Sequence, residues 1–119
     1  MKIFRELIVW QKSMRLVVKI YELTKGFPRE ENFGLTSQMR RSAVSISSNI
    51  AEGYGRDSLK EFIRFLNIAI SSLFELQTQI EISRNLNYLD EKKYNTSYES
   101  SREVERMLSS LIRRLKSKK

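Results

Sequence analysis

Glu52, Glu61 and Glu75 are the carboxylates nearest to apolar stripes, and acid–base chemistry would have to use them. Carboxylates run a hydrolysis when two are held at a set separation with unlike proton affinities. Nothing in the sequence pairs these three at such a spacing. The chain has no histidine and no cysteine, so the commonest general base and any thiolate ligand are missing. The Glu-x-x-His pairs of a carboxylate-bridged metal site in a helical bundle cannot be built. "EGYGR" (52–56) carries two glycines but lacks the Lys-Ser/Thr of a phosphate-cradling loop and follows no strand. These residues predict that the protein is not an enzyme and binds no metal or cofactor.

The basic residues offer a different chemistry. Lys and Arg number 22 against 14 Asp and Glu, a formal net charge of +8. Such a surplus attracts polyanions: nucleic acid, anionic lipid or an acidic protein. Lys12, Arg15 and Lys19 fall at i, i+3 and i+7, one face of a helix. Arg40 and Arg41 form a second group, and Arg113, Arg114 and Lys116 a third, extended by Lys118 and Lys119. These side chains would neutralise phosphates of RNA or DNA without reading base sequence. The competing reading is a solvated face, or cations placed to suit a helix C-terminal dipole. Repeating one patch around a symmetry axis would join the copies into a continuous positive field.

Four helices must position these groups. In the first, Leu7, Trp10, Met14, Val17 and Tyr21 recur at steps of three and four, beside a second line of Val9, Leu16, Ile20 and Leu23. Gly26 suits a C-terminal cap, and Pro28 cannot continue the helix. The second helix is expected from about Asn32 to Tyr54, with Leu35, Met39, Ala43, Ile46 and Ile50 inward and Gly53 and Gly55 ending it. The third opens on a capping box, Ser58 with Glu61. Its stripe is Phe62, Leu66, Ala69, Leu73, Leu76 and Ile80, flanked by Ile63, Ile70 and Phe74. Asn85 and Asn87 break it, and Asp90 caps the fourth helix. There Tyr94, Tyr98, Ser101, Val104, Leu108, Leu111 and Leu115 hold the stripe. The fold class is all-α, an up-down-up-down four-helix bundle in one domain spanning 1–119.

The second helix also carries a flank of small polar residues: Ser42, Ser45, Ser48 and Asn49, with Glu52 and Gly53 beyond. Serines weaken a helix in isolation, so packing must offset that loss. The flank predicts a tight helix–helix interface, within the subunit or between subunits. Doubly apolar helices imply more buried surface than one bundle core holds, and hence self-association. No apolar run reaches the roughly 18 residues of a membrane span. The N-terminal stretch lacks a signal-peptide h-region. No membrane role and a cytoplasmic location are expected.

"WQKSM" (10–14), "GFP" (26–28), "RRSAVSISSNIAEG" (40–53) and "FLNIAISSLFEL" (65–76) resemble the four-helix bundle proteins encoded in intervening sequences of bacterial 23S rRNA genes, the S23 ribosomal protein family. The chain is also similar to the accessory variability protein of diversity-generating retroelements. The resemblance implies a homopentameric ring, a basic surface for nucleic acid and, as an alternative, a scaffold that engages a partner protein. It carries over Asn49, Glu52, Gly53, Ser72 and Glu75 as structural or interface residues, joined by Ser45 from the serine flank. The chain departs from the family pattern at Ser42 for Ala, Ser47 for Pro and Ser71 for Gly, the last implying a looser helix contact.

Overall fold

The computed structural model describes residues 3–118, which leaves the Lys119 of the basic cluster outside the described residues. Its helices are α1 (Ile8–Thr24), α2 (Leu35–Tyr54), α3 (Leu59–Asn85) and α4 (Glu91–Lys116), and no strand occurs among the described residues. Single 3-10 turns at Phe4–Glu6 and Arg29–Glu31 precede α1 and α2. Each helix packs on the next and α1 closes on α4, while the diagonal pairs lie out of backbone contact. Short connections make neighbours antiparallel, which gives an up-down-up-down bundle of 47 × 23 × 20 Å.

The core runs through Leu16 and Ile20 of α1, Met39, Ile46 and Ile50 of α2, Leu66, Leu73, Leu76 and Ile80 of α3, and Val104 and Leu108 of α4. Each is at most 2% exposed, and burying such a side chain stabilises by about 1.5–3 kcal/mol. On α1 the inward line is Val9, Leu16 and Ile20, completed by Ser13 and Thr24. Of the other line, Leu7, Trp10 and Val17 are half-buried against the core, whereas Met14 and Tyr21 point outward, each 39% exposed. Apolarity alone misjudges α1 because two hydroxyls belong to its buried stripe. Ser13 donates to the Trp10 carbonyl (2.7 Å), so its single proton is committed and Ser47 of α2 donates to Ser13 across 2.9 Å. Thr24 donates back to the Ile20 carbonyl at 2.8 Å. On α3, Ile63 and Ile70 are half-buried and Phe74 is 50% exposed. Phe62 is half-buried too, whereas Phe65 is buried.

Gly55 ends α2 as its C-cap, as expected, whereas Gly26 and Gly53 act differently from their predicted roles. Gly26 adopts no left-handed conformation; α1 ends on Lys25, whose N–H reaches the Tyr21 carbonyl. Gly53 lies inside α2 and is buried there. A Cβ added to it would stand 2.5 Å from Phe65 Cβ and 3.3 Å from the Phe62 carbonyl oxygen. Hydrogen therefore sets how closely α2 and α3 approach. The left-handed residue is Asn87, at φ 64, just past α3, where Asn tolerates what most side chains resist. Ser58 and Asp90 cap α3 and α4, accepting from the N–H groups of Glu61 and Lys93.

α2 starts at Leu35, three residues later than the periodicity suggests, because Gly34 offers no side-chain cap. Glu31 supplies it from the preceding turn. Its carboxylate accepts from the Leu35 N–H at 3.0 Å and from the Tyr88 hydroxyl at 2.9 Å, and Tyr88 packs on Phe27. One carboxylate thus ties the α1–α2 and α3–α4 connections together. The Leu35 N–H, then the Tyr88 hydroxyl, hold Glu31 below the usual carboxylate range, against a smaller opposing effect of burial.

Two outcomes follow from this packing. Gly53→Ala should lower stability by about 1–3 kcal/mol, since Phe65 Cβ cannot swing away, read as a drop in melting temperature by circular dichroism. A carboxylate with a depressed folded pKa stabilises above its unfolded value and loses that contribution as pH falls through the folded one. Between neutral pH and pH below the ordinary value of 4.5, urea midpoints should therefore fall further for the wild type than for Glu31→Gln. Equal falls would mean that Glu31 is no cap.

Candidate functional site

The small-residue flank of α2 is a seam within the subunit. Ser45 Oγ lies 2.8 Å from Ser72 Oγ of α3. Asn49 Nδ2 donates to the Ser45 carbonyl at 2.8 Å and to its hydroxyl at 3.1 Å, which locks the rotamer that meets Ser72. Gly53 continues the seam to Phe65. Ser42 and Ser47 are buried, and Ser48 is exposed. Ser71 is exposed, so that substitution loosens no helix contact.

The carboxylates do not converge. Glu52 and Glu75 are exposed on α2 and α3, and Glu52 pairs with Arg56 at 2.9 Å. Glu61 pairs with Arg64 at 3.1 Å, and the hydrogen bond from Arg64 holds its carboxyl below the usual range. Glu105 is the most enclosed of the shifted acids. Burial works to raise it, and hydrogen bonds from Gln77 and Arg102 prevail and lower it. Among the described residues no group of three or more His, Cys, Asp or Glu side chains is placed to hold a metal.

The basic residues separate into engaged and free. Lys12 forms an ion pair with Glu103 at 3.1 Å, and Lys19 donates to Ser100 at 3.0 Å, so both bridge α1 to α4. Arg15 shares their groove without an ion pair among the described residues. Arg40 closes the end of α1: Nε donates to Thr24 Oγ1 at 2.9 Å, a terminal nitrogen reaches the Tyr21 carbonyl at 3.4 Å, and the guanidinium lies 4.5 Å from the Tyr21 ring. Its neighbour Arg41 is exposed on the outer side of α2, beside Val44 and Ser37. Sequence spacing could not tell these arginines apart, because the difference lies in α1.

One group of free cations gathers at one end of the bundle, apart from others such as Arg15 and Arg41. Antiparallel packing brings the end of α4 beside the starts of α1 and α3. Arg113, Arg114 and Lys116 are exposed there without ion pairs among the described residues. Lys60 of α3 lines a cleft with Lys116, and Arg106 lines another with Arg114. Neither Lys60 nor Arg106 was singled out from the sequence. Arg106 was findable, lying two helical turns before Arg113 on the same side of α4; Lys60 was not, since only packing places it by α4. Arg56 and Arg64 complete this end, paired with Glu52 and Glu61 and lying 4.8 and 4.6 Å from the Phe65 ring.

Fold and site together define an all-helical bundle with a basic end and an interlocked small-residue seam. Residues 5–110 match the family model of the 23S rRNA-intervening sequence protein, and the chain belongs to that family. A solved structure is similar along almost its whole length: a protein with unknown function from the S23 ribosomal protein family of Bacteroides thetaiotaomicron. It is 31% identical, has a TM-score of 0.83, and the match covers 89% of this chain and 96% of that one. Comparison with curated proteins finds no match.

Arg40 and Arg41 should separate in a melt. Arg40→Ala removes two hydrogen bonds and a ring contact and should destabilise by roughly 1–2 kcal/mol. Arg41→Ala should stay within about 0.5 kcal/mol of the wild type.

Proposed function

We propose that this protein is a non-enzymatic, cytoplasmic nucleic-acid-binding protein, assembled as a homopentamer, that holds RNA or DNA by its phosphates without strong sequence preference. The observation that carries the reading is the set of unpaired cations at one end of the bundle: Arg113, Arg114, Lys116, Lys60 and Arg106. Charges already matched by carboxylates add little outside field, whereas unmatched ones attract a polyanion and release its counterions. The family's link by name to 23S rRNA points the same way. The outward line of Met14, Val18 and Tyr21 on α1, with Val44 on α2, supports assembly, because it offers another copy an apolar surface.

A second reading has its own support. Phe33 is 99% exposed on the α1–α2 connection, at the end away from the basic cluster. A large aromatic so placed suits an anchor for a partner protein, and the protein would then be a scaffold or accessory subunit.

Salt dependence decides between them. Affinity for a labelled RNA, read by fluorescence anisotropy, should fall as salt rises, with a log–log slope of roughly 0.7 per phosphate engaged on a single strand. Flat or absent binding would favour the scaffold. Light scattering coupled to size exclusion should report five times the 14.1 kDa chain mass; a monomer at micromolar concentration would end the assembly reading.

A further inference from the structure

Resting on the nucleic-acid reading above, we infer that the bound form is single-stranded and that it lies across the end of α4, with its phosphates on the free cations and its bases over two apolar-floored clefts. The ridge between the clefts is the outer side of α4, where Arg106 and Arg113 recur two turns apart and the half-buried Ser109 and Ser110 leave it low. On one side, between the start of α3 and the end of α4, Leu59 and Ile63 form a floor flanked by Lys60 and Lys116. On the other, Leu7, Ile8, Met107 and Leu111 form a floor flanked by Arg106 and Arg114, with Glu6 at the edge. Both floors contain apolar side chains in contact with water: Leu59 is 36% exposed and Ile8 57%.

That pairing of apolar floor with flanking cations discriminates between nucleic-acid forms. A duplex presents phosphates and keeps its base faces stacked, so it could engage the ridge but would leave the floors wet. An unpaired strand has base faces to lay on apolar side chains while its phosphates meet the neighbouring cations. The α1 groove lacks this combination. Its Lys12 is matched by Glu103, its Lys19 is held by Ser100, and its apolar lining residue, Leu16, is buried.

The test uses the full chain, a short unstructured RNA, the same RNA annealed to its complement, and polyglutamate as an acidic competitor. The wild type should bind the single strand more tightly than the duplex. Lys60→Gln/Lys116→Gln should weaken single-strand binding by roughly tenfold and reduce the salt slope by about 1.4, since each single-strand phosphate no longer neutralised lowers it by about 0.7. Leu59→Ser should weaken the single strand severalfold and leave duplex binding unchanged, an effect that charge alone would not produce. Lys12→Gln/Arg15→Gln/Lys19→Gln should bind nearly as the wild type does. Circular dichroism melts establish that each variant folds. Equal wild-type affinity for duplex and single strand would overturn the single-strand inference. Loss of binding in the α1 triple variant, with the Lys60/Lys116 variant unaffected, would overturn the location. Displacement of the RNA by polyglutamate at matched charge would assign the end to an acidic protein instead. A wild type that binds neither RNA form would sink the nucleic-acid reading, and the inference with it.

Discussion

The close approach of α2 to α3 sets the geometry on which the rest of the bundle depends. It is made by atoms that are missing or small: no Cβ at Gly53 against Phe65, and two serine hydroxyls, Ser45 and Ser72, where larger side chains would hold the helices apart. Serine and glycine weaken an isolated helix. The seam returns that loss as dispersion attraction and hydrogen bonds available only at short interaxial distance. A similar device joins α1 to α2, where Ser13 and Ser47 share a hydrogen bond in the core. With α2 fastened on both sides, Ile46 and Ile50 are held at the centre, and α4 completes the ring of helices.

The same packing sorts the charges. Side chains facing an adjacent helix acquire partners: Lys12 with Glu103, Lys19 with Ser100, Arg40 with the end of α1. Those at the end of α4 face the starts of two helices that contribute few unmatched carboxylates, so they stay free. Part of a surplus spread along the sequence is thereby brought together at one end in space. Exposed ion pairs contribute little to stability, so the sorting matters less for folding than for the field presented to a partner.

Much of the architecture is legible in the periodicity. The four helices, the Ser58 and Asp90 caps, the inward line of α2 and most of those of α3 and α4 follow from spacing and local chemistry, because those features are decided within a few residues of one another. On α4, however, Ser97 and Ile112 are buried where Tyr98, Leu111 and Leu115 are only half-buried. α1 shows where that reasoning stops. Its apolar residues cover two faces, and the inward one is completed by Ser13 and Thr24, whose hydroxyls find backbone acceptors in the helix itself. Glu31 shows it again: a helix start capped from four residues upstream, with a tyrosine from another loop on the same carboxylate, lies beyond any local pattern.

By itself the sequence determined the helical class, the helix ends marked by capping residues, the absence of histidine and cysteine chemistry, and the positive charge. Hydrophobic period, cap chemistry and residue inventory are properties of the chain and need no neighbour. Tertiary structure decided which of two faces of α1 turns inward, why Gly53 must be glycine, and which cations are free. Each of those depends on an atom contributed by another helix, at a distance that antiparallel packing alone creates.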